Sequence, residues 1–133
     1  MAHKLKGDWK STILHVEVAK GTVTEEDDGN INIEDIDETT GNINKCSHRG
    51  GASGALDLHG KADGNAATNP VVELHQEDAA GNPIVPRYTG KLMFEIKDSQ
   101  GKTTQIIVGA VFHNRGSRRT AQQEDTWVAT KQG

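Results

Sequence analysis

Ser11, His15 and Glu17 form the most compact group of side chains whose types nucleophilic catalysis uses. A serine nucleophile needs a base within hydrogen-bonding distance, and the base needs a group that orients it. The three residues lie in one stretch of alternating apolar and polar residues, which predicts a strand. Residues four apart on a strand are separated by about 13 Å. The spacing therefore argues against a serine–histidine pair formed within this segment.

The six histidines and the single cysteine show no metal-binding spacing. No HxH or HExxH pattern occurs, and Cys46 has neither a CxxC partner nor a second cysteine for an internal disulfide. His59, His75 and His113 each lie at or near the end of a predicted strand, where they can converge on one mouth of a barrel. We expect rim or surface histidines, with no bound metal and no cofactor.

Carboxylates are dense from Asp27 to Glu38. An EF-hand calcium loop needs a glycine at its sixth position and a glutamate at its twelfth. Counted from Asp28, the sixth residue is Ile33, so the calcium motif is absent. We interpret residues 25–30 as an acidic turn and the run as an acidic hairpin edge, which would oppose edge-to-edge aggregation.

Composition and charge bound the class of protein. A chain of 133 residues with 33% hydrophobic residues is long enough for one domain that buries roughly two thirds of its unfolded surface. The formal net charge of −4 argues against a nucleic-acid-binding face, and the basic run from Arg115 to Arg119 is interpreted as a solvated loop.

Membrane and export signals are not evident in the sequence. No apolar run approaches the ~20 residues that cross a bilayer. Residues 1–10 contain no hydrophobic segment of the signal-peptide type, so no signal peptide is predicted. We expect a soluble protein and leave its compartment unassigned.

The segment from Tyr88 to Asn114 predicts an antiparallel hairpin. Its first half alternates polar with apolar residues from Leu92 to Ile96, which is the period of a half-buried strand. Residues 98–102 supply polar turn residues and a glycine. The returning half, residues 103–113, is rich in β-branched residues and apolar on both faces at its centre. We therefore expect another subunit on its outer face.

Turn residues divide the remaining chain into further short strands, and no stretch shows helical periodicity. The predicted strands follow in the order 11–18, 31–37, 43–48, 55–60, 71–76, a sixth that includes Tyr88, 103–113 and 125–131. Eight short strands joined by hairpin-sized turns predict an all-β, eight-stranded antiparallel up-and-down β-barrel with room for one small ligand. A β-sandwich is the alternative, although it needs a long crossover connection.

Three short motifs occur in a fixed order along this layout. They are Gly7-Asp8-Trp9 at the first strand, Tyr88-Thr89-Gly90 before the hairpin, and an acidic segment with Trp127-Val128-Ala129-Thr130 near the end. In this order they resemble the avidin/streptavidin family of biotin-binding barrels. The resemblance implies a streptavidin-like barrel over residues 7–133 after an N-terminal extension over 1–6, and assembly into dimers or tetramers.

The resemblance also implies positions for the binding pocket. Ser11 stands at the position of a polar contact to the ureido group of biotin, His15 stands where the family usually has a serine, and Tyr88 matches an aromatic residue of the sixth strand. Trp127 matches the terminal tryptophan, which in the family often reaches into a neighbouring subunit's pocket. The tryptophan expected in the seventh strand falls at about Gly109, and the tyrosine of the second strand has no counterpart. Most of the aromatic walls and of the ureido clamp are therefore missing.

The register of the first strand has two interpretations. The family layout places Trp9, Ser11, Ile13 and His15 in the lumen, whereas simple alternation places Leu14, Val16 and Val18 there. A shift of one residue exchanges the two faces, and a bulge can reconcile them.

Three functional hypotheses follow. The preferred one is a non-catalytic, avidin-like binding or scaffold barrel with a degenerate biotin pocket; its ligand would contact Ser11, His15, Tyr88, Gln105, His113 and Trp127. The alternatives are a biotin-binding protein of weakened affinity and a β-barrel isomerase or cyclase that uses Tyr88 with His15 or His113. The expected partner is a second copy, bound through Ile106, Val108, Phe112 and Val128.

Overall fold

Eight antiparallel strands close into a barrel in which each strand pairs with its neighbours in sequence. The computed structural model describes residues 3–51, 54–63, 70–114 and 122–132. The strands are β1 (Gly7–Glu17), β2 (Thr22–Ile36), β3 (Asn42–Arg49), β4 (Leu56–Asp63), β5 (Val71–Glu77), β6 (Pro83–Lys97), β7 (Thr103–Asn114) and β8 (Gln122–Gln132). The predicted all-β up-and-down barrel is confirmed, and the sandwich alternative is wrong. The basic run from Arg115 to Arg119 lies outside the described residues.

The barrel closes between its first and last strands. The β1–β8 ladder runs from the pair Lys10–Thr130 to the pair Leu14–Thr126. Closure of this kind leaves no exposed sheet edge along the paired strands.

Three of the connections in the described part of the chain begin with an aspartate whose carboxylate accepts backbone N–H groups of its own turn. Asp37 accepts from Thr39 and Thr40, and the turns that begin at Asp78 and Asp98 use the same pattern. These hydrogen bonds hold the pKa values of Asp37 and Asp78 below the usual aspartate value. A glycine with positive φ completes each turn, as the turn composition predicts.

The predicted acidic turn at residues 25–30 is wrong, because β2 runs through it. The first connection is instead a single 3-10 turn at Val18–Lys20, followed by Gly21 in the left-handed conformation. Within β2, Gly29 has a φ of 80° and forms a bulge opposite Ser11, between the pairs Lys10–Asn30 and Thr12–Asp27. The bulge turns Asp28 into the lumen, where its residue is 3% exposed.

The register of β1 follows the family layout. Trp9, Ser11 and Ile13 are buried in the lumen, whereas Val16 faces outward and is 50% exposed. Leu14 pairs with Glu25 and Thr126 on the outer side. The sequence pattern of β1 misleads because its outer face is also apolar.

Candidate functional site

The lumen of the barrel has two chemically different ends. The first, which we call the polar end, is where β1, β3, β5 and β7 end and where β2, β4, β6 and β8 begin. Most of the buried polar side chains lie in the lumen from mid-barrel toward this end, namely Ser11, Asp28, His48, His113 and Asp125. The opposite end, which we call the closed end, receives the N-terminal segment and is lined by apolar side chains.

The closed end is filled by residues of the N-terminal segment. Leu5 is fully buried and belongs to the same apolar cluster as Trp9, and the Trp9 indole Nε1 donates to the Leu5 carbonyl at 2.8 Å. The Lys131 ammonium donates to the carbonyls of Lys4 and Lys6, both at 2.7 Å, and lies 5.0 Å from the centroid of the Trp9 ring. These contacts attach residues 4–6 firmly to the barrel.

Asp28 is the centre of one hydrogen-bonded cluster in the lumen. Its Oδ2 accepts the hydroxyl of Ser11 at 2.8 Å and the hydroxyl of Tyr88 at 2.7 Å. The Ser11 hydroxyl in turn accepts the indole N–H of Trp127 at 2.9 Å. Burial and the neighbouring Asp28 carboxylate raise the pKa of Tyr88 far above its usual value, so its phenol keeps the proton it donates.

His48 of β3 joins the same cluster from the other side. Its Nε2 lies 2.5 Å from the Asp28 carbonyl oxygen and 3.3 Å from Asp28 Oδ2. Its Nδ1 lies 2.7 Å from the carbonyl oxygen of Gly54, on the β3–β4 connection. The His48 side chain is fully buried, and its ring stacks on the Tyr88 ring with centroids 6.5 Å apart.

Asp125 of β8 forms a second cluster closer to the polar end. Its two carboxylate oxygens each contact one histidine: Oδ1 lies 2.7 Å from His15 Nδ1, and Oδ2 lies 2.6 Å from His113 Nε2. The other ring nitrogen of His15, Nε2, is 3.4 Å from a carboxylate oxygen of Glu17. The side chain of Asp125 is 2% exposed and that of His15 is 22% exposed. The cluster is thus buried at its carboxylate and reaches solvent through His15.

A surface depression of about 300 Å³ lies beside the Asp125 cluster. Its lining includes the outward-facing Leu14, Ala110 and Thr126 as well as His15 and Asp125. The small side chains of Ala110 and Thr126, which pair with each other across β7 and β8, leave this space open. The depression therefore lies on the outer side of the barrel wall and borders His15 and Asp125.

Two facing glycines place the Trp127 ring in the lumen. Gly90 and Gly109 pair directly across β6 and β7, and a Cβ on Gly109 would lie 1.9 Å from the Thr89 carbonyl oxygen. A Cβ on Gly90 would lie 2.8 Å from the Trp127 ring. Trp127 is 1% exposed and packs against Tyr88 within its own barrel. The resemblance implies that Trp127 reaches into a neighbouring subunit, and this expectation is wrong because the ring lies inside its own barrel.

The lumen brings together Ser11, His15, Tyr88, His113 and Trp127, which are five of the six predicted binding residues. The sixth, Gln105, is separate: it pairs with Glu95 and Lys131 toward the closed end. The expected convergence of His59, His75 and His113 is wrong, because His59 and His75 pair on the outer face of β4 and β5.

Three central groups of the site escaped the sequence prediction. Asp28 falls in the segment that the sequence predicts as a turn, and no pattern distinguishes His48 from the other histidines. The position of Asp125 in the lumen can be inferred from the sequence, since it stands two residues before Trp127 and so faces the same side of β8.

Burial raises the pKa of the Cys46 thiol to about 12, which makes this cysteine unreactive at neutral pH.

Among the described residues, no group of three or more His, Cys, Asp or Glu side chains is arranged to hold a metal ion. No helix in the described part of the chain is long and apolar enough to cross a membrane.

Comparison of the chain with models of protein families, with curated proteins and with solved structures finds no match. The fold and the geometry of the lumen are accordingly the basis for assigning a function.

Proposed function

We propose that this chain is a non-catalytic, avidin-like barrel that binds a small polar ligand at the polar end of its lumen. The main support for this proposal is the concentration of buried ionisable groups at that end, around Asp28 and Asp125. Burying such groups costs more than packing apolar side chains of the same volume. At the closed end of the same barrel apolar side chains predominate and His3 is the buried polar side chain, so the fold itself does not require a polar lumen.

Contact with solvent supports the Asp125 cluster as the place where the ligand binds. Asp28 is enclosed by its partners Ser11, Tyr88 and His48, whose hydrogen bonds it already accepts. The His15 side chain retains exposed surface and borders the depression beside Thr126. A ligand with both hydrogen-bond donors and acceptors matches an imidazole–carboxylate–imidazole arrangement.

Biotin is a poor match for this lumen. The Trp127 ring of the same chain packs over Gly90, which pairs with Gly109, the position where the family carries a seventh-strand tryptophan. The Ser11 and Tyr88 hydroxyls are bonded to Asp28. We therefore infer a degenerate biotin pocket in preference to a weakened biotin site.

Thermal unfolding and NMR together test the binding proposal. Biotin at millimolar concentration should leave the melting temperature unchanged. A ligand present at 100 times its Kd would add about 2.7 kcal/mol to the free energy of unfolding and raise the melting temperature by several degrees, so binding would be detected. A set of small polar fragments should perturb the backbone amides of His15, His113 and Asp125. His113→Ala should weaken those shifts, and His59→Ala, on the outer face of β4, should not.

Either of two results would reject the proposal. A rise of several degrees with biotin would establish the weakened biotin site instead. Fragment shifts that leave the amides of His15, His113 and Asp125 unperturbed, or no shifts at all, would remove the polar end as a binding site.

An acid–base enzyme, either an isomerase or a cyclase, is the second candidate. The observation that favours it is the contact of His15 and His113 with one carboxylate at 2.7 Å and 2.6 Å. Tyr88 is unsuited to the role of base, since its raised pKa keeps it protonated. Conversion of a bound fragment to an isomer, followed by NMR and abolished by Asp125→Asn, would favour this candidate over simple binding.

We also propose that two copies associate through the outer face of β6–β8. Phe94 and Phe112 are 53% and 42% exposed, and Phe94 stands beside Ile106 in the ladder. Val108 and Val128 pair with each other and extend this apolar surface from Ile106, and Phe112 lies farther along β7 between Arg87 and Glu124. Contiguous exposed apolar surface of this kind is typical of protein–protein interfaces.

A further inference from the structure

Both ring nitrogens of His48 face oxygen atoms that only accept hydrogen bonds. Nδ1 is 2.7 Å from the Gly54 carbonyl oxygen, and Nε2 is 2.5 Å from the Asp28 carbonyl oxygen. A neutral imidazole carries one N–H and one lone pair, whereas the imidazolium carries two N–H groups. A lone pair on either nitrogen would oppose the lone pairs of a carbonyl. The two contacts therefore require a proton on each nitrogen.

We propose that His48 is a buried imidazolium whose two N–H groups tie Gly54, on the β3–β4 connection, to Asp28 on β2, and that loss of its proton releases this tie. The Asp28 carboxylate supplies the opposite charge, with its Oδ2 3.3 Å from His48 Nε2. The proposal stands on the hydrogen-bond geometry alone and does not depend on which ligand the barrel binds.

The groups around His48 are consistent with this charge. Burial disfavours the imidazolium, but the hydrogen bonds to Asp28 and Gly54 and the Asp28 charge outweigh it, so the pKa of His48 is raised above its usual value. Tyr88, which stacks on the ring, stays neutral because its pKa is raised as well. The Cys46 thiol, two residues away on the same face of β3, has a pKa of about 12 and is also neutral. Glu26 adds negative charge near Tyr88.

The tie holds two segments that already lie in close contact. A Cβ on Gly51 would lie 2.6 Å from the Asp28 carbonyl carbon, and a Cβ on Gly29 would lie 2.1 Å from the Arg49 carbonyl oxygen. When His48 loses a proton, one nitrogen presents a lone pair to a carbonyl, and the attraction between these segments becomes repulsion. The β3–β4 connection then loses a hydrogen bond to the wall of the polar end.

The direction of the pH dependence follows from the raised pKa. In the unfolded chain the histidine pKa is about 6.5. The stabilisation from His48 is fully present below that pH and is lost as the pH rises through the higher pKa of the folded state. This is opposite to the usual loss of stability in acid, so the two effects can be separated.

NMR of the histidine ring nitrogens tests the charge directly. At about pH 7, where a histidine of ordinary pKa is mostly neutral, both nitrogens of His48 should have the chemical shifts of protonated nitrogens. The Gly54 amide should shift with the same midpoint as the His48 ring when the pH is raised. A neutral His48 at this pH, or a Gly54 amide that does not follow it, would overturn the proposal.

A variant with a matched control tests the consequence for stability. Between about pH 6 and pH 9, a range that brackets the titration of a histidine with a raised pKa, the melting temperature of the parent should fall by several degrees more than that of His48→Gln. His59→Gln, whose histidine is 52% exposed on β4, should keep the parent's pH profile. Equal pH profiles for the parent and His48→Gln would contradict the proposal. If His48→Gln does not fold, the NMR titration of the parent decides alone.

Discussion

Gly90 shows how a single residue without a side chain determines where a large one lies. A Cβ on Gly90 would be 2.6 Å from Ile107 Cγ2 and 2.8 Å from Trp127 Cζ3. Because Trp127 donates its indole N–H to Ser11, any displacement of its ring also disturbs the Asp28 cluster. Packing over one glycine and hydrogen bonding in the lumen are thus coupled.

Gly90→Ala should destabilise the barrel by about 1–3 kcal/mol, because the added methyl group overpacks the lumen. Urea unfolding measures the loss, and tryptophan fluorescence should report a changed environment for Trp127. Thr89→Ala, at the exposed neighbouring position, is the control and should stay within about 0.5 kcal/mol of the parent. A Gly90→Ala variant as stable as the parent would show that the Trp127 ring is not confined there.

The residues of the site that the sequence predicts are those whose strand pattern is regular. Tyr88 and Trp127 are inward-facing residues of β6 and β8, and both stand in alternating segments. Asp28 is different, because the bulge at Gly29 resets the alternation and a glycine followed by an asparagine is a typical turn signal. Whether such a glycine forms a turn or a bulge depends on the pairing of its strand with β1, and the residues around the glycine do not reveal that pairing.

At the scale of elements, the hairpin β6–β7 was predictable because its strands and its turn are adjacent in sequence. The position of the N-terminal segment is harder to predict, because residues 3–6 lack strand periodicity and still fill the closed end. Leu5 is fully buried there, and the residues around it are held by Lys131. The segment acts as a plug that completes the core.

Leu5→Ala should therefore lower the free energy of unfolding by about 2–5 kcal/mol, the range for removal of a buried leucine side chain. Chemical unfolding monitored by circular dichroism measures the change. Val18→Ala is the comparison, because Val18 is 87% exposed on the β1–β2 connection and should change stability by less than about 0.5 kcal/mol. Similar small effects for both variants would mean that the plug contributes nothing to the core.

At the scale of the whole molecule, the barrel uses apolar residues on both sides of one part of its wall. Ile107 and Val111 of β7 fill the lumen, while Ile106 and Val108 on the same strand face outward and are half-buried. A strand with solvent on its outer face needs only one apolar side. The second apolar side is explained if another copy covers it.

Ile106→Glu should then convert an oligomer into a monomer, because its carboxylate, between Phe94 and Thr130 in the apolar contact, would be buried without a partner. Light scattering coupled to size-exclusion chromatography measures the mass of the parent and of the variant. Val18→Glu, which adds the same charge at a site 87% exposed and away from β6–β8, should leave the parent's mass unchanged. A parent that remains monomeric at high protein concentration would show that Phe94 and Phe112 face water, and the proposed association would then be wrong.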